Sequence, residues 1–497
     1  MEWYWAVSLL FGSILLLMLS GIPVGLAFLV VNVVAAIHWF GGTGPVWDRI
    51  GKGVGLLVQN GFQVVASPNL VPVAMFLLMG ELFFQTGLAN RMFTGIDKLM
   101  GRLPGRLSYV TVAGGTAFAA LSGSSMGSGA LLGTLMVPEM TKRGYNKYMS
   151  MGPILGTGGI AILIPPSTLA VLLGTLAELD IGKLLVAGVM PGLMLAAMYA
   201  VMIAAWLKID PAAAPAYDVE TPPALEKLVI FLRDILPMLS IIVFVITITV
   251  WGVASPIESS AFGAVGVLIL GVAYRVLTFE NIAKSCVAAT RITVMALVII
   301  FGSATFSQLL GFSGATAGLI KWATSFEFSP LTLLLIMFGI LILLGMFMDQ
   351  LSMMLLTVPI FFPLAKQYGW DLIWFGIIMM MSFEISYTTP PFGLLLFVMQ
   401  GVAPRGTTFA AIVAASLPYM ACAFALVGLI VVVPEIATWL PCQFEKNVEA
   451  CLGRRSSFEY YLIAAAIAVC AAMYLLTRRA RGTPKPAVVS APPLGGP

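Results

Sequence analysis

The chain has 497 residues, of which 60% are hydrophobic and only 10% are charged, and its formal net charge is +4. Soluble domains carry roughly 25% charged residues, so a soluble protein of this size would have too few charges to cover its surface. This composition excludes a soluble fold, and so small a positive excess gives no reason to expect nucleic acid as a partner.

Apolar segments recur along the chain in blocks of about 18 to 25 residues, the length that crosses a bilayer core. The first block follows no basic segment and ends at no clear cleavage site, so we interpret it as the first span and not as a secretory signal. The number of blocks predicts an all-α polytopic membrane protein. The blocks cover residues 6–39, 183–206, 235–253, 257–274, 291–311 and 457–477.

Two parts of the chain repeat one another at a fixed distance. Pro138 lies 27 residues before Pro165, and Pro363 lies 27 residues before Pro390. One shift of 225 residues therefore superimposes both pairs, and each of the later prolines begins a Pro-Pro pair. We interpret Pro138 and Pro363 as loop prolines. The matching order and motif type predict a chain made of two related halves.

Each half combines a polar tip with a broken helix. The stretch SGSSMGSG is too polar to face lipid and too rich in glycine for a good helix, which predicts a re-entrant helical hairpin with SGSS at its tip. The shift of 225 sets Ser124 of this tip against Asp349 of a second hairpin. IPPS and TTPP interrupt their helices, because proline removes a backbone N–H and clashes with the preceding turn. Two hairpins and two broken helices at matching positions predict the binding site of a transporter.

Charge counting predicts that the two halves are inverted. Three basic residues in the segment 142–147, after the first hairpin, favour the cytoplasmic side. Counting spans from there places the loop after the second hairpin, which has a single lysine, outside. The same count places Cys442 and Cys451 outside and the arginine-rich tail inside. We therefore expect these two cysteines to form a disulfide in an oxidising compartment.

The motifs ALSGSS, KRGYN, IPPS, GVMPG, MDQLSMMLLTVPIFFP and TPPFGLLLFV follow one another in this order. Over about residues 5 to 434, the chain thereby resembles the DctM-like large membrane subunit of tripartite ATP-independent periplasmic (TRAP) transporters. The resemblance implies an elevator-type sodium symporter of the ion-transporter superfamily in the bacterial inner membrane. It also implies a small four-helix membrane subunit as a partner. The second implied partner is a periplasmic solute-binding protein that delivers an organic acid, often a carboxylate or sialic acid.

The chain departs from the family pattern in two places. The family often has glycine three residues before its TPP motif, where this chain has Ser386. The chain also continues past Pro434 with an additional loop, an additional span and a tail rich in proline. Near the first departure, Glu384 either orients the helix break or makes a hydrogen bond between helices.

Sodium prefers several oxygen ligands, which carbonyls freed at helix breaks and the hydroxyls of serine and threonine supply. The alternative for the small residues is that they only let helices pack closely. For Asp349 the alternative is a helix cap, and both roles are compatible. The candidate sodium-binding residues are Ser122, Gly123, Ser124, Ser125, Pro165, Ser167, Gly345, Met348, Asp349, Thr388 and Thr389.

The half-helices after the two breaks point their N-termini toward the centre, where partial positive charge favours an anion such as a carboxylate. The candidate substrate-binding residues are Ser124, Pro166, Ser167, Thr389, Pro390 and Pro391.

Two other functions compete with the TRAP large subunit. One is an ion-coupled carboxylate symporter of the same superfamily that works without a binding protein. The other is an intramembrane enzyme, which a single histidine and the lack of an acidic metal motif disfavour.

The predicted domains are N-terminal scaffold helices (1–105), a first transport repeat (106–207), a linker with central scaffold helices (208–325), a second transport repeat (326–433), and the additional loop, helix and tail (434–497).

Overall fold

A computed structural model of the chain is helical, with no strand among the residues that it describes. These residues are 3–20, 22, 24–42, 44–101, 103–122, 125–215, 222–326, 328–346, 348–390, 393–404 and 406–444. The chain opens with α1 (Trp3–Leu19), α2 (Val24–Trp39), α3 (Val46–Val65), α4 (Val71–Gln85) and α5 (Leu88–Met100). The apolar block 6–39, expected to form one span, therefore forms two helices. The sequence GIPVG at 21–25 explains the difference, because its proline and glycines disfavour a continuous helix.

The helices α4 and α5 meet at a bend of 66°. Gly87 lies at this bend with a φ of 75°, a left-handed conformation that glycine adopts without steric cost. Arg91 of α5 forms an ion pair with Asp234, which lies 143 residues later in the chain, with 2.6 Å between Nε and Oδ1. The bend and the ion pair together direct α5 away from the axis of α4.

The first predicted hairpin and the first predicted broken helix are both present. The next five helices are α6 (Arg106–Ser122), α7 (Ser125–Lys142), α8 (Lys147–Leu163), α9 (Thr168–Leu176) and α10 (Ile181–Ile209). The helices α6 and α7 pack together and are joined at SGSS, of which Gly123 and Ser124 lie outside the described residues. The helices α8 and α9 meet at an angle of 42° across the sequence IPPS.

The middle of the chain forms α11 (Ala224–Ile230), α12 (Leu236–Val250), α13 (Pro256–Ala273), α14 (Phe279–Phe312) and α15 (Ala315–Ser325). A π-helical segment joins α11 to α12, so that the two run as one apolar helix of 27 residues. Ser255 and Glu258 form a capping box at the start of α13, which satisfies backbone N–H groups that the helix leaves free. The long helices α13 and α14 pack against α4, the helix that leads to the bend.

The second hairpin and the second broken helix are also present. The last helices are α16 (Pro330–Gly345), α17 (Gln350–Gln367), α18 (Leu372–Tyr387), α19 (Leu394–Val402), α20 (Phe409–Val432) and α21 (Glu435–Cys442). Cys442 is disulfide-bonded. Its expected partner Cys451 and the expected span at 457–477 lie outside the described residues, so the pairing stays a prediction.

The repeat that the prolines indicate extends to whole helices. The helix α7 covers residues 125–142 and α17 covers 350–367, so the shift of 225 superimposes both ends. The same shift superimposes α5, α6, α8, α9 and α10 on α15, α16, α18, α19 and α20 to within three residues at each end. The interpretation of Pro138 and Pro363 as loop prolines is wrong, because both lie inside α7 and α17. Neighbouring helices can satisfy the backbone groups that such prolines leave free.

Five described helices are long and apolar enough to cross a membrane, or up to seven if each bent pair counts as one span. The core lies around α8, α17 and α18, most of whose side chains are buried. The breaks and hairpin tips therefore lie at the centre of the molecule and not at its surface.

Candidate functional site

The two halves contact one another through corresponding helices. The helix α8 packs against α18, its counterpart in the repeat. The second arm of the first hairpin, α7, packs against α19, and its counterpart α17 packs against α9. Each hairpin therefore contacts the short helix that follows the break of the other half. This arrangement brings both hairpin tips to both breaks.

Glu384 lies where α8 and α18 meet. It belongs to the last turn of α18, and only 4% of it is exposed. The shift of 225 sets Glu384 against Gly159 of α8, and the two positions are in contact. A Cβ at position 159 would lie 2.5 Å from Cδ and Oε1 of Glu384. The glycine of the first half thus makes room for the carboxylate of the second.

Glu384 also faces the tips of both hairpins. Gln350, the first residue of α17, donates a hydrogen bond from Nε2 to Glu384 Oε2 at 3.1 Å. Ser125, the first residue of α7 and the counterpart of Gln350, lies beside the same carboxylate. Its hydroxyl is buried without a formed hydrogen bond in the described part of the chain. Of the two roles considered for Glu384, the structure shows the hydrogen bond between helices.

The carboxylate of Asp349 caps α17. Its Oδ2 accepts hydrogen bonds from the backbone N–H groups of Leu351 and Ser352, each at 3.1 Å. The Ser352 hydroxyl donates to the other oxygen, Oδ1. These bonds satisfy N–H groups that a buried helix start would otherwise leave free. The cap that sequence considerations weighed for Asp349 is therefore present, and an additional role in ion binding stays a prediction.

Gly345 and Ser386 form a close contact between the second hairpin and α18. A Cβ at position 345 would overlap both Oγ and Cβ of Ser386. The Ser386 hydroxyl donates to the carbonyl of Phe383 at 2.8 Å. The residue that departs from the family pattern therefore fits against a glycine of the opposing helix. Its hydroxyl hydrogen is directed at its own helix.

The hydroxyl groups at the second break have their oxygens available as acceptors. Thr388 and Thr389 both donate to the carbonyl of Ile385, at 3.0 and 2.6 Å. Gly393 begins the turn into α19, and a Cβ there would lie 2.9 Å from the carbonyl oxygen of Thr389. The threonine oxygens at the break therefore have free lone pairs. They lie beside backbone that packs against Gly393 too closely for a side chain to fit there.

The first break has a helix cap and an apolar surround. The Ser167 hydroxyl caps α9 by accepting from the backbone N–H of Ala170 at 3.3 Å. Pro165 and Pro166 line a small cavity together with Phe76 and residues of α10 and α12. Ser167 is fully buried. Most of the described residues that line this cavity are apolar, and among them Thr249 alone has a polar side chain.

The structure therefore brings several of the predicted residues to one region. Ser125 and Asp349 lie at the two tips. Ser125 is beside the Glu384 carboxylate, and Asp349 directly precedes Gln350, which donates a hydrogen bond to that carboxylate. Tyr387 lies close enough to Glu384 and Asp349 to interact with both electrostatically. Gly123, Ser124 and Pro391, and the side chain of Ser122, lie outside the described residues. The predicted residues that are described and buried are Ser125, Pro165, Pro166, Ser167, Gly345, Met348, Thr388 and Thr389.

Comparison with known sequences identifies a family. Residues 11–436 match the family described as "Tripartite ATP-independent periplasmic transporter, DctM component". The C4-dicarboxylate TRAP transporter large permease protein DctM of Pseudomonas aeruginosa is 30% identical over 383 residues, which cover 76% of this chain and 88% of that protein. The protein of the same name from Rhodobacter capsulatus is 28% identical over 448 residues, covering 87% and 98%. The sialic acid TRAP transporter permease protein SiaT of Haemophilus influenzae is 27% identical over 429 residues, covering 86% and 67%.

Two solved transporters share the fold. The Alcanivorax borkumensis YdaH transporter superimposes with a TM-score of 0.59 at 11% sequence identity, covering 84% of this chain and 97% of that one. Neisseria gonorrhoeae MtrF, described as representing a class of antimetabolite efflux pumps, superimposes with a TM-score of 0.52 at 14% identity, covering 84% and 94%. At these identities the likeness concerns the fold alone. The sequence relatives are permeases, which confirms the expectation that the chain is not an enzyme.

Proposed function

The chain belongs to the DctM component family of tripartite ATP-independent periplasmic transporters, and we propose that it imports an organic acid in symport with sodium. It acts in this proposal as the large permease subunit in the bacterial inner membrane. A small membrane subunit completes the complex, and a periplasmic binding protein delivers the substrate. The observation that carries the proposal is the meeting of two hairpin tips with two broken helices around Glu384.

Sodium coupling rests on the oxygen atoms at the tips and breaks. The hydroxyl hydrogens of Thr388 and Thr389 are directed at a backbone carbonyl, which leaves their oxygens free to bind a cation. Ser125 adds a buried hydroxyl oxygen without a formed hydrogen bond. Asp349 adds the negative charge of a carboxylate at the second tip. Hydroxyl, carbonyl and carboxylate oxygens are the ligands that hard cations prefer.

The substrate class rests on the two short helices after the breaks. The N-termini of α9 and α19 carry partial positive charge, because their first N–H groups have no partner within the helix. An anionic group is stabilised there. Relatives are named for C4-dicarboxylate, sialic acid and isethionate, all of them organic acids. We propose a substrate of this class with its acid group near Ser167, Thr389 and Pro390.

Reconstitution in liposomes tests the proposal. The chain is inserted with its small subunit, and uptake of a labelled C4-dicarboxylate, sialic acid or isethionate is measured with the binding protein outside. We expect uptake under an inward sodium gradient and none when choline replaces sodium. Equal uptake in choline would contradict sodium coupling. Full sodium-driven uptake by this chain alone would identify it instead as a symporter that works without partners.

A further inference from the structure

A second cavity lies behind the second broken helix. It is lined by α8, α10, α18 and α20, and it has room for about one water-sized guest. None of the described residues that line it comes from either hairpin. Its lining residues are Leu155, Gly156, Tyr199, Glu384, Ile385, Thr388, Ser416, Tyr419, Met420 and Ala423.

The helix α8 is shaped to hold the ring of Tyr419 beside this cavity. A Cβ at Gly152 would lie 2.5 Å from Cε2 of that ring, and a Cβ at Gly156 would overlap the ring on its other edge. The rings of Tyr199 and Tyr419 meet edge to face with centroids 5.1 Å apart. Two glycines four residues apart therefore bring two tyrosines, one from each half of the chain, to the same cavity.

The cavity offers more hydrogen-bond acceptors than donors. The hydroxyl of Ser416 donates to the carbonyl of Val413 at 2.8 Å, and that of Thr388 donates to Ile385, so both present only lone pairs to the cavity. Glu384 accepts a hydrogen bond from Gln350 at Oε2, and the Ser125 hydroxyl lies beside the same carboxylate. Tyr419 is 98% buried, and its hydroxyl has no partner in the described part of the chain. Apart from the phenol O–H groups of Tyr199 and Tyr419, a guest in this cavity therefore meets oxygen lone pairs and no donor from these residues.

A negative charge on Glu384 would have no counter-charge among the described residues that line the cavity. Glu384 is its one ionisable carboxyl group, and none of the described lining residues is basic. Within the described chain, Glu384 takes part in no ion pair. A buried carboxylate without a counter-charge is costly, and more so within a membrane. A guest with a single positive charge and the size of a water molecule removes this cost, and the surrounding hydroxyl oxygens supply further ligands.

We propose that this cavity is a binding site for one small monovalent cation, held by Glu384 Oε1 and the hydroxyl oxygens of Tyr199, Thr388, Ser416 and Tyr419. The site shares Thr388 with the ion site proposed at the second break, and it differs from that site because α10 and α20 supply three of its five ligands. It depends on the proposed sodium coupling only in the choice of sodium as the probe. Through Oε2 and Gln350, the occupied site would also hold the second hairpin.

Equilibrium binding of ²²Na⁺ to the purified complex, without substrate, tests the site. We expect Glu384→Gln to bind one sodium ion fewer per chain than the wild type, because it keeps an acceptor for Gln350 but removes the charge. Tyr419→Phe should keep the number of ions and weaken one site about fivefold, since it removes a single ligand. Glu280→Gln and Tyr4→Phe, at exposed positions, are the matched controls and should bind as the wild type does.

Three results overturn the proposal. If Glu384→Gln and Tyr419→Phe both bind as many ions as the wild type with the same affinity, the cavity holds water beside a neutral Glu384. If Glu384→Gln does not fold, an unchanged affinity in Tyr419→Phe alone has the same meaning. Saturable binding by the wild type with no loss in these variants leaves the proposed sodium symport intact. A wild type that binds no sodium contradicts both proposals.

Discussion

Position 159 has no side chain because the carboxylate of Glu384 occupies the space where a Cβ would lie. The two positions are equivalent in the repeat, so they face one another across the line that relates the halves. A symmetric pair of glutamates here would place two buried charges in contact, and a symmetric pair of glycines would leave a void. The asymmetric pair fills the space with a single acid group.

Gly159→Ala should therefore impair the protein. The new Cβ would lie 2.5 Å from two atoms of Glu384, so the carboxylate must move away from Gln350. Overpacking of a tight core costs about 1–3 kcal/mol, and we expect a lower melting temperature of the purified protein and reduced uptake.

Gly339→Ala is the matched control for this change. Position 339 lies in the middle of α16, and a Cβ there has no neighbour within 4 Å. Its melting temperature should equal or slightly exceed that of the wild type, because alanine is the better helix former by about 0.5–1 kcal/mol. Equal melting temperatures for Gly159→Ala and the control would show that Glu384 has room to relax.

Gly345 and Ser386 allow a test by double mutation. Gly345→Ala places a Cβ on the side chain of Ser386, and we expect a loss of about 1–3 kcal/mol of stability together with reduced uptake. Adding Ser386→Gly removes both overlapping atoms and should restore the protein. Adding Ser386→Ala removes only the hydroxyl and should restore little. Additive effects of Gly345→Ala and Ser386→Gly on the melting temperature would contradict direct contact.

At the scale of the helices, Asp349 and Asp371 perform the same local task at different places. Each caps a helix of the second half by accepting two backbone N–H groups, Asp349 at the buried tip and Asp371 in an exposed loop. A comparison of the two separates the contribution of a cap from any contribution to ion binding.

We expect Asp349→Ala to lower the free energy of unfolding by about 1 kcal/mol, as loss of a cap does, and Asp349→Asn to keep most of that stability. Under the proposed sodium coupling, Asp349→Asn should still raise the sodium concentration for half-maximal uptake severalfold, because it removes the charge at the tip. Asp371→Asn should change neither the melting temperature nor the sodium dependence. An unchanged sodium dependence in Asp349→Asn would leave Asp349 as a cap alone.

The positions of the tips and breaks were predictable because they depend on local chemistry. Proline pairs and glycine-serine clusters interrupt a helix wherever they occur, and the repeat doubled that signal. Pro138 and Pro363 were misassigned since a proline inside a packed membrane helix has the same sequence signature as one in a loop. The cavity around Tyr199 and Tyr419 was not predicted, because its ligands come from helices far apart in sequence that only tertiary packing brings together.

At the scale of the molecule, the helices of the two halves correspond closely in their bounds. The contacts that each half makes with the surrounding helices differ more. Of the four hairpin arms, the pair α4 and α5 packs against α6, the first arm of the first hairpin, and α4 also contacts α9. Of the same four arms, their counterparts α14 and α15 pack against α17, the second arm of the second hairpin. A transporter with two related halves is expected to show such a difference in contacts between hairpin arms and surrounding helices when it is in one of its two access states. In the other state, the halves should exchange these contacts.

Cysteine cross-linking can detect this exchange. The Ser303 hydroxyl donates to the carbonyl of Leu355 at 2.7 Å and so joins α14 to α17. The shift of 225 sets these positions against Leu78 and Ala130 in the first half. We expect the pairs Ser303→Cys with Leu355→Cys and Leu78→Cys with Ala130→Cys each to react with a short bifunctional thiol reagent and to stop uptake until the link is cleaved.

The two links should exclude one another, because each holds a different state. In a chain that carries all four substitutions, and in which Cys286, Cys422 and Cys470 are replaced, mass spectrometry should find one link or the other in each molecule. Both links in the same molecule would contradict an exchange of contacts between the halves. A link between positions 303 and 355 that leaves uptake unchanged would show that α14 and α17 stay together during transport, and the moving body would then have to include α14.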